Sequence, residues 1–90
     1  MKKVAVFGKG KLAVKVAAWL NKSSNHDLVV VLPVMPEPSW TDSLFQWAQE
    51  NNVNVVDTGH YKDVNPEGID VIFSVFYDKI IREKYINRCN

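Results

Sequence analysis

The start of the chain constrains the fold most, because it joins a short apolar run, two glycines and a long apolar stretch. Residues 4–7 are apolar and β-favouring, Gly8 and Gly10 follow, and residues 12–20 are almost entirely apolar. This order predicts a strand, a tight glycine turn and a helix that ends near Lys22. It is typical of the opening unit of a nucleotide-binding α/β domain.

The glycine turn has the chemistry of an anion site. Glycine adopts backbone angles that other residues resist, and it leaves room for a ligand against the main chain. Unpaired N–H groups at a helix start favour an anion such as a phosphate, and two lysines stand beside them. The segment Gly8-Lys9-Gly10-Lys11 is therefore a candidate ligand site, with the ligand unspecified.

Composition excludes several classes of partner. Among the 90 residues, 11 Lys and Arg balance 10 Asp and Glu. No strongly basic field therefore points to nucleic acid or an anionic membrane as the main partner. No apolar run approaches the roughly 20 residues that a membrane helix needs. The one cysteine, Cys89, excludes an internal disulfide and is compatible with a reducing cytoplasm, the expected location.

Three later apolar runs predict further strands, at residues 28–32, 53–56 and 70–75. The first is apolar throughout, as a parallel strand buried on both faces requires. With helical segments between them, the runs predict an α/β fold, a Rossmann-like three-layer parallel sheet of about four strands in the order 3-2-1-4. The fourth strand would be an apolar edge, which invites self-association through strand pairing.

The connections between these strands differ in character. Residues 33–38 contain three prolines and predict a loop at the carboxyl end of the second strand. Ser39 is the predicted N-cap, and Asp42 the reciprocal capping residue, of a helix that reaches about residue 51. Residues 57–68 predict a polar connector in which any helix is brief.

The tryptophans and histidines favour structural roles. Trp19, Trp40 and Trp47 occur at helical positions among other apolar residues, which favours core packing over a stacking platform. His26 and His60 are single histidines in polar surroundings, typical of surface groups. With one distant cysteine, no metal site is expected.

Two known kinds of nucleotide or phosphate site match the chain only in part. Residues 8–13 satisfy the relaxed G-x-G-x-x-A pattern of dinucleotide domains, but Leu32 and Pro33 occupy the place of the acidic ribose ligand. Asp57 follows the third predicted strand as a receiver-domain phosphoacceptor does, but the glycine turn stands where that site needs an acidic pair. The receiver interpretation therefore fails. Dinucleotide binding and a plain tight turn stay open at the glycines.

A resemblance to one family runs the full length of the chain. The strand–glycine unit, the proline-bearing loop, residues 40–56 and residues 70–81, in that order, resemble the N-terminal part of the folate-dependent formyltransferases. This superfamily includes the methionyl-tRNA, glycinamide ribonucleotide and sugar N-formyltransferases. The resemblance implies a pterin pocket for 10-formyltetrahydrofolate, lined mainly by backbone groups and isoleucines, at Tyr77, Asp78, Lys79, Ile80 and Ile81.

The same resemblance implies where the substrate binds and which substrate it is. The amine substrate falls at Gly8, Lys9, Gly10 and Lys11, with a nucleotide-linked amino sugar as the leading substrate. Methionyl-tRNA comes second, because the near-neutral charge disfavours tRNA.

The family's catalytic groups are an Asn and a His in an Asn-x-His motif and a later Asp. Residues 1–90 contain no Asn-x-His motif. The chain is thus expected to be the N-terminal segment of a longer catalytic domain, inactive alone. The alternative is a non-catalytic module that binds a nucleotide or phosphate at the glycine turn.

Overall fold

The computed structural model describes residues 2–37 and 40–77, which form an open α/β fold. Its elements, in chain order, are β1 (Lys2–Gly8), α1 (Gly10–Lys22), β2 (His26–Pro33), α2 (Leu44–Glu50), a 3₁₀ helix (Tyr61–Asp63) and β3 (Val71–Val75). The strands of this part of the chain make one parallel sheet in the order β2-β1-β3. The α/β class and the parallel sheet confirm the prediction.

β1 is the centre of the sheet and of the core. Its side chains alternate between the two faces, as in any strand. Val4 and Val6 belong to the cluster beneath the two helices, whereas Ala5 and Phe7 belong to a second cluster on the opposite face. All four are fully buried. Both faces of the sheet are therefore covered, as a parallel sheet requires.

The helix α1 follows the predicted pattern closely. It ends at Lys22, as expected, and buries Ala13, Ala17 and Leu20 on one stripe. The spacing of i, i+4 and i+7 places all three on the face toward the sheet. Small residues on that stripe let the helix backbone lie close to β1.

The prediction of four strands is wrong for the third. Residues 53–56 make only an isolated parallel bridge, between Val55 and Val31 of β2. Two backbone hydrogen bonds flank it, from the Val31 N–H to the Asn54 carbonyl at 2.9 Å and from the Val56 N–H to the Val31 carbonyl at 3.1 Å. The bridge lies on the predicted side of β2. It does not extend because only four residues separate the turn after α2 from the polar connector.

Two details of β2 also differ from the prediction. Residues 28–30 are half-buried, not covered on both faces, because the bridge beside them is so short. Pro33 belongs to the strand and not to the loop. It is tolerated because it occupies the last position, and the next N–H, that of Val34, donates to the Gly8 carbonyl at 2.9 Å.

The helix α2 is shorter than predicted. It begins at Leu44, not near residue 40, and its N-cap is Ser43, whose hydroxyl accepts from the Gln46 N–H at 3.0 Å. Asp42 is exposed and lies before the cap, so its predicted reciprocal role is wrong. Ser39, the predicted N-cap, lies outside the described residues.

The prediction that all three tryptophans pack in the core is also wrong. Trp47 packs against the core, but the side chains of Trp19 and Trp40 are 63% and 83% exposed. The stripe of α1 that faces the sheet is already filled by smaller side chains, so Trp19 lies at its flank. There its ring contacts that of His26 with 5.7 Å between centroids.

The remaining sequence expectations concern the connector, metal ions and membranes. The connector contains one brief 3₁₀ helix, as predicted, and His60 caps it by accepting from the Lys62 N–H at 3.2 Å. In the described part of the chain, no three His, Cys, Asp or Glu residues group as a metal site would need. None of its helices has the length and hydrophobicity to cross a membrane.

Candidate functional site at the carboxyl edge of the sheet

The carboxyl ends of the three strands meet around the glycine turn. Gly8 ends β1 and pairs with Pro33 at the end of β2 on one side and with Val75 at the end of β3 on the other. Ligands of open α/β sheets bind outside this edge. The predicted substrate segment is therefore at the centre of the edge where a ligand site is expected.

Gly8 is required by the approach of β3. A Cβ atom at this position would lie 1.9 Å from the carbonyl oxygen of Val75. The same oxygen accepts the Lys9 N–H at 3.1 Å. Gly8 therefore allows β3 to pack closely against β1, and the Lys9 N–H bond joins the start of the turn to the end of β3.

Gly10 is required by its backbone angle. Its φ is +83°, in the region that side chains disfavour, and it is the first residue of α1. Lys9, at the N-cap, makes no side-chain capping bond, and the first turn holds no acidic residue. The first N–H groups of α1 therefore have no such side chain to neutralise the positive end of the helix. Together with exposed Lys11, this favours an anionic ligand.

Thr41, in the connection between β2 and α2, lies against this turn. A Cβ atom on Gly10 would find the Thr41 hydroxyl as its nearest neighbour, at 3.6 Å. Thr41 also lines a depression of about 620 Å³ together with Glu37 and Trp47. The loop after β2 thus forms one wall beside the glycine turn.

Glu37 holds that loop in place. Its carboxylate accepts from the Ser43 hydroxyl at 2.5 Å and from the N–H groups of Leu44 at 2.8 Å and Phe45 at 3.3 Å. The negative charge thereby meets the positive end of α2. No sequence signal marks Glu37, because a cap from a residue six positions before Ser43 leaves no local pattern.

Tyr77 is the one predicted cofactor residue among the described residues. Its hydroxyl accepts from the Tyr61 N–H at 2.8 Å and donates to the Gly59 carbonyl at 3.1 Å. Its ring contacts Phe7 of β1 with 5.5 Å between centroids. Tyr77 therefore joins the connector to the sheet and fixes where the predicted cofactor segment begins. The other four predicted residues lie outside the described residues: Asp78, Lys79, Ile80 and Ile81.

Phe76 is a feature of the edge that the sequence did not reveal. It adopts a φ of +58°, and its side chain is 67% exposed. It lies between Val75, which contacts the glycine turn, and Tyr77. An apolar run that ends in two aromatic residues gives no sign of a left-handed backbone, so no sequence signal marks it.

Comparison with known proteins finds similarity among solved structures. No family model and no curated protein sequence matches the chain. A crystal structure of WlaRD, a sugar 3N-formyltransferase in the presence of dTDP and 5-N-formyl-THF, matches with 29% identity and a TM-score of 0.73. An N-formyltransferase from Helicobacter canadensis, in complex with folinic acid and dTDP-3-aminofucose, matches with 26% identity and a TM-score of 0.70.

The two structural matches cover very different shares of the chains being compared. Each covers 94% of this chain but only 31% and 32%, respectively, of the two neighbours. The chain thus spans about a third of the length of the structures it matches. Because the similarity in sequence and fold covers nearly all of its residues, the resemblance predicted above is confirmed, and the chain fits the N-terminal part of the folate-dependent formyltransferases.

Proposed function

We propose that residues 1–90 are the N-terminal, cofactor-side and substrate-side segment of an N-formyltransferase. This enzyme transfers a formyl group from 10-formyltetrahydrofolate to the amine of a nucleotide-linked amino sugar. One observation carries the proposal: both neighbouring structures are N-formyltransferases crystallised with a formyl-folate and a thymidine nucleotide. The lone cysteine favours a cytoplasmic location.

The geometry of the glycine turn supports the substrate side of the proposal. A nucleotide-linked sugar carries a diphosphate, and the uncapped start of α1 attracts such an anion. Gly8 and Gly10 hold the backbone in position, while Lys9 and Lys11 add positive charge nearby. The net charge of +1 offers no broad basic surface of the kind that tRNA binding uses.

The geometry around Tyr77 supports the cofactor side. When bound, the folate supplies the formyl group that the substrate amine attacks. Tyr77 contributes by position: its two hydroxyl bonds and its contact with Phe7 fix the chain where residues 78–81 begin. The proposal assigns the pterin contacts to this segment, mainly through its backbone and through Ile80 and Ile81. It assigns no catalytic residue to residues 1–90.

Calorimetric titration of the 90-residue chain tests the substrate side. We expect binding of dTDP and dTDP-3-aminofucose, and Lys11→Ala should weaken both by about threefold to tenfold through loss of one nearby charge. Lys22→Ala is the matched control, because both lysines are exposed at opposite ends of α1. Equal effects of the two variants, or no binding by the unmodified chain, would contradict the assignment.

A titration with 5-formyltetrahydrofolate separates the proposal from a non-catalytic module. The module is the alternative because the anion-favouring start of α1 at the glycine turn needs no residue of the predicted cofactor segment. Nucleotide binding without folate binding favours the module, and binding of NAD in place of both favours a dinucleotide site. Formyl transfer by residues 1–90 alone would contradict the proposal that this segment lacks the catalytic residues.

We also propose that the outer edge of β3 supports self-association. Among the described residues β3 pairs only with β1, and its apolar residues are half-exposed: Val71, Ile72, Phe73 and Val75. Such an edge pairs readily with a second copy unless a charge interrupts it. Sedimentation velocity should show concentration-dependent dimers that Ser74→Lys abolishes. Ser24→Lys, at another exposed serine, should leave them unchanged.

A further inference from the structure

Phe76 combines an unfavourable backbone with an unfavourable side-chain environment. Its φ of +58° lies in the left-handed region, where a bulky non-glycine residue is an outlier. Its large apolar side chain is also 67% exposed. The other described non-glycine residue at positive φ is Asn52, and asparagine tolerates this region. Stability alone therefore gives no reason for a phenylalanine at position 76.

The backbone of Phe76 is held from both sides. Before it, the carbonyl of Val75 accepts the Lys9 N–H of the glycine turn. After it, the hydroxyl of Tyr77 accepts the Tyr61 N–H of the connector. These two anchors leave a single residue to make the turn between them. Strain that surrounding structure imposes in this way is typical of functional sites.

Phe76 lies between the two parts of the proposed site, which are the glycine turn for the substrate and the segment from Tyr77 for the cofactor. The residue before it contacts the glycine turn, where the diphosphate is placed. The residue after it begins the segment where the pterin is placed. The amine of the sugar must reach the formyl carbon, so the sugar ring has to lie between diphosphate and pterin. Phe76 is the residue that joins these two places along the sheet edge.

We propose that Phe76 determines substrate specificity, because its exposed ring packs against the amino-sugar ring of the nucleotide-linked substrate. This inference rests on the proposed function. An aromatic face offers a large rigid apolar surface, which suits the C–H face of a sugar ring. The energy of that contact compensates for the strained backbone only when the sugar is present.

Titrations with two ligands test the contact. We expect Phe76→Ala to weaken binding of dTDP-3-aminofucose about fivefold and to change the Kd of dTDP by less than about twofold, since dTDP lacks the sugar. Phe76→Leu should recover most of the affinity, because it restores apolar bulk. Trp19→Ala is the control: it removes a similarly exposed aromatic side chain at the other end of the sheet and should change neither Kd.

Thermal unfolding distinguishes a binding role of Phe76 from a structural one. If Phe76 stabilised the fold, its replacement by glycine would lower Tm. Phe76→Gly should weaken sugar binding as Phe76→Ala does, yet raise Tm by about 4 °C, because glycine adopts the left-handed region without cost. Asn52→Gly should raise Tm less and leave binding unchanged.

The outcomes separate this inference from the function on which it rests. Equal weakening of dTDP and dTDP-3-aminofucose by Phe76→Ala, no weakening of either, or a lower Tm for Phe76→Gly would each overturn the inference. All three leave the proposed function intact. Failure of the unmodified chain to bind either nucleotide would contradict the proposed function, and the inference with it.

Discussion

The two ends of the sheet differ in how their polar and aromatic groups are used. At the amino end, neighbouring groups pair with one another: Ser23 bonds the His26 ring at 2.8 Å, and the Lys3 N–H donates to the Asp70 carboxylate at 2.8 Å. Trp19, although exposed, lies against His26. At the carboxyl end, by contrast, α1 begins without a side-chain cap and Phe76 is both strained and exposed.

This difference indicates that the carboxyl end of the sheet contains groups that lower the stability of the fold. Groups at the amino end form contacts that close a turn, as Ser23 does, or join β1 to the start of β3, as Asp70 does, so each contributes to the folded state directly. The uncapped helix start and the left-handed Phe76 cost free energy and return none within the described residues. Such costs are expected at a ligand site, where the ligand supplies the missing interaction. Substitutions at the two ends should therefore change stability and binding in different proportions.

The largest expected effect is that of Gly8→Ala. The new Cβ would meet the Val75 carbonyl at 1.9 Å, so β1 and β3 must separate, and we expect a loss of about 3–5 kcal/mol in the free energy of unfolding. Urea denaturation measures it. Gly68→Ala is the matched control, because Gly68 also has a positive φ but nothing within 4 Å of the added Cβ. It should cost only about 1–2 kcal/mol. Equal losses would show that backbone angle, not the approach of β3, makes Gly8 necessary.

Tyr77→Phe should have the next largest effect. It removes the hydroxyl that bonds the Tyr61 N–H and the Gly59 carbonyl but keeps the ring on Phe7. We expect a loss of about 1–3 kcal/mol, because the N–H of buried Tyr61 loses its bond to this hydroxyl. Folate binding should weaken more than dTDP binding, since the hydroxyl fixes the start of the cofactor segment. Denaturation and calorimetry measure the two effects, and unchanged folate affinity would show that Tyr77 serves folding alone.

Glu37→Gln should act mainly through the loop beside the glycine turn. It removes the charge at the start of α2 and should cost about 0.5–1.5 kcal/mol. Because Glu37 holds the loop that brings Thr41 to Gly10, dTDP affinity should fall as well. Glu50→Gln is the control at the other end of α2, where removal of a negative charge is neutral or slightly stabilising. Equal destabilisation by both would show that helix charge is not what Glu37 contributes.

The sequence predicted those elements whose signals are local. β1, the glycine turn and α1 follow from one continuous pattern, and the end of α1 at Lys22 is confirmed. The helix pattern did not, however, show which aromatic side chains would be buried. Trp19 occupies a helical position among apolar residues, yet Ala13 and Ala17 already fill the face toward the sheet. The apolar periodicity thus predicts the helix itself more reliably than it predicts which side chains at the edges of its apolar stripe are buried.

The features that the sequence missed depend on partners distant in the chain. Phe76 is forced into its conformation by anchors at Lys9 and Tyr61, which no window around residue 76 contains. Residues 53–56 have the composition of a strand, but the length of their pairing depends on β2 and on the turns around them. Such long-range constraints explain why no local pattern predicted the backbone of Phe76 or the short pairing of residues 53–56.

A substitution at the amino end should have a smaller effect than any of these. Ser23→Ala removes the hydroxyl that bonds His26 and accepts the Asn25 N–H, so we expect a loss of about 0.5–1 kcal/mol. Because this turn faces away from the carboxyl edge, the affinities for dTDP and for 5-formyltetrahydrofolate should not change. Ser23→Ala should therefore lower stability and leave ligand affinity unchanged. Phe76→Gly should do the reverse, because it should weaken sugar binding and raise Tm. If Ser23→Ala weakened ligand binding as strongly as it lowered stability, binding would report general loosening of the fold, and the functional division between the two ends of the sheet would fail.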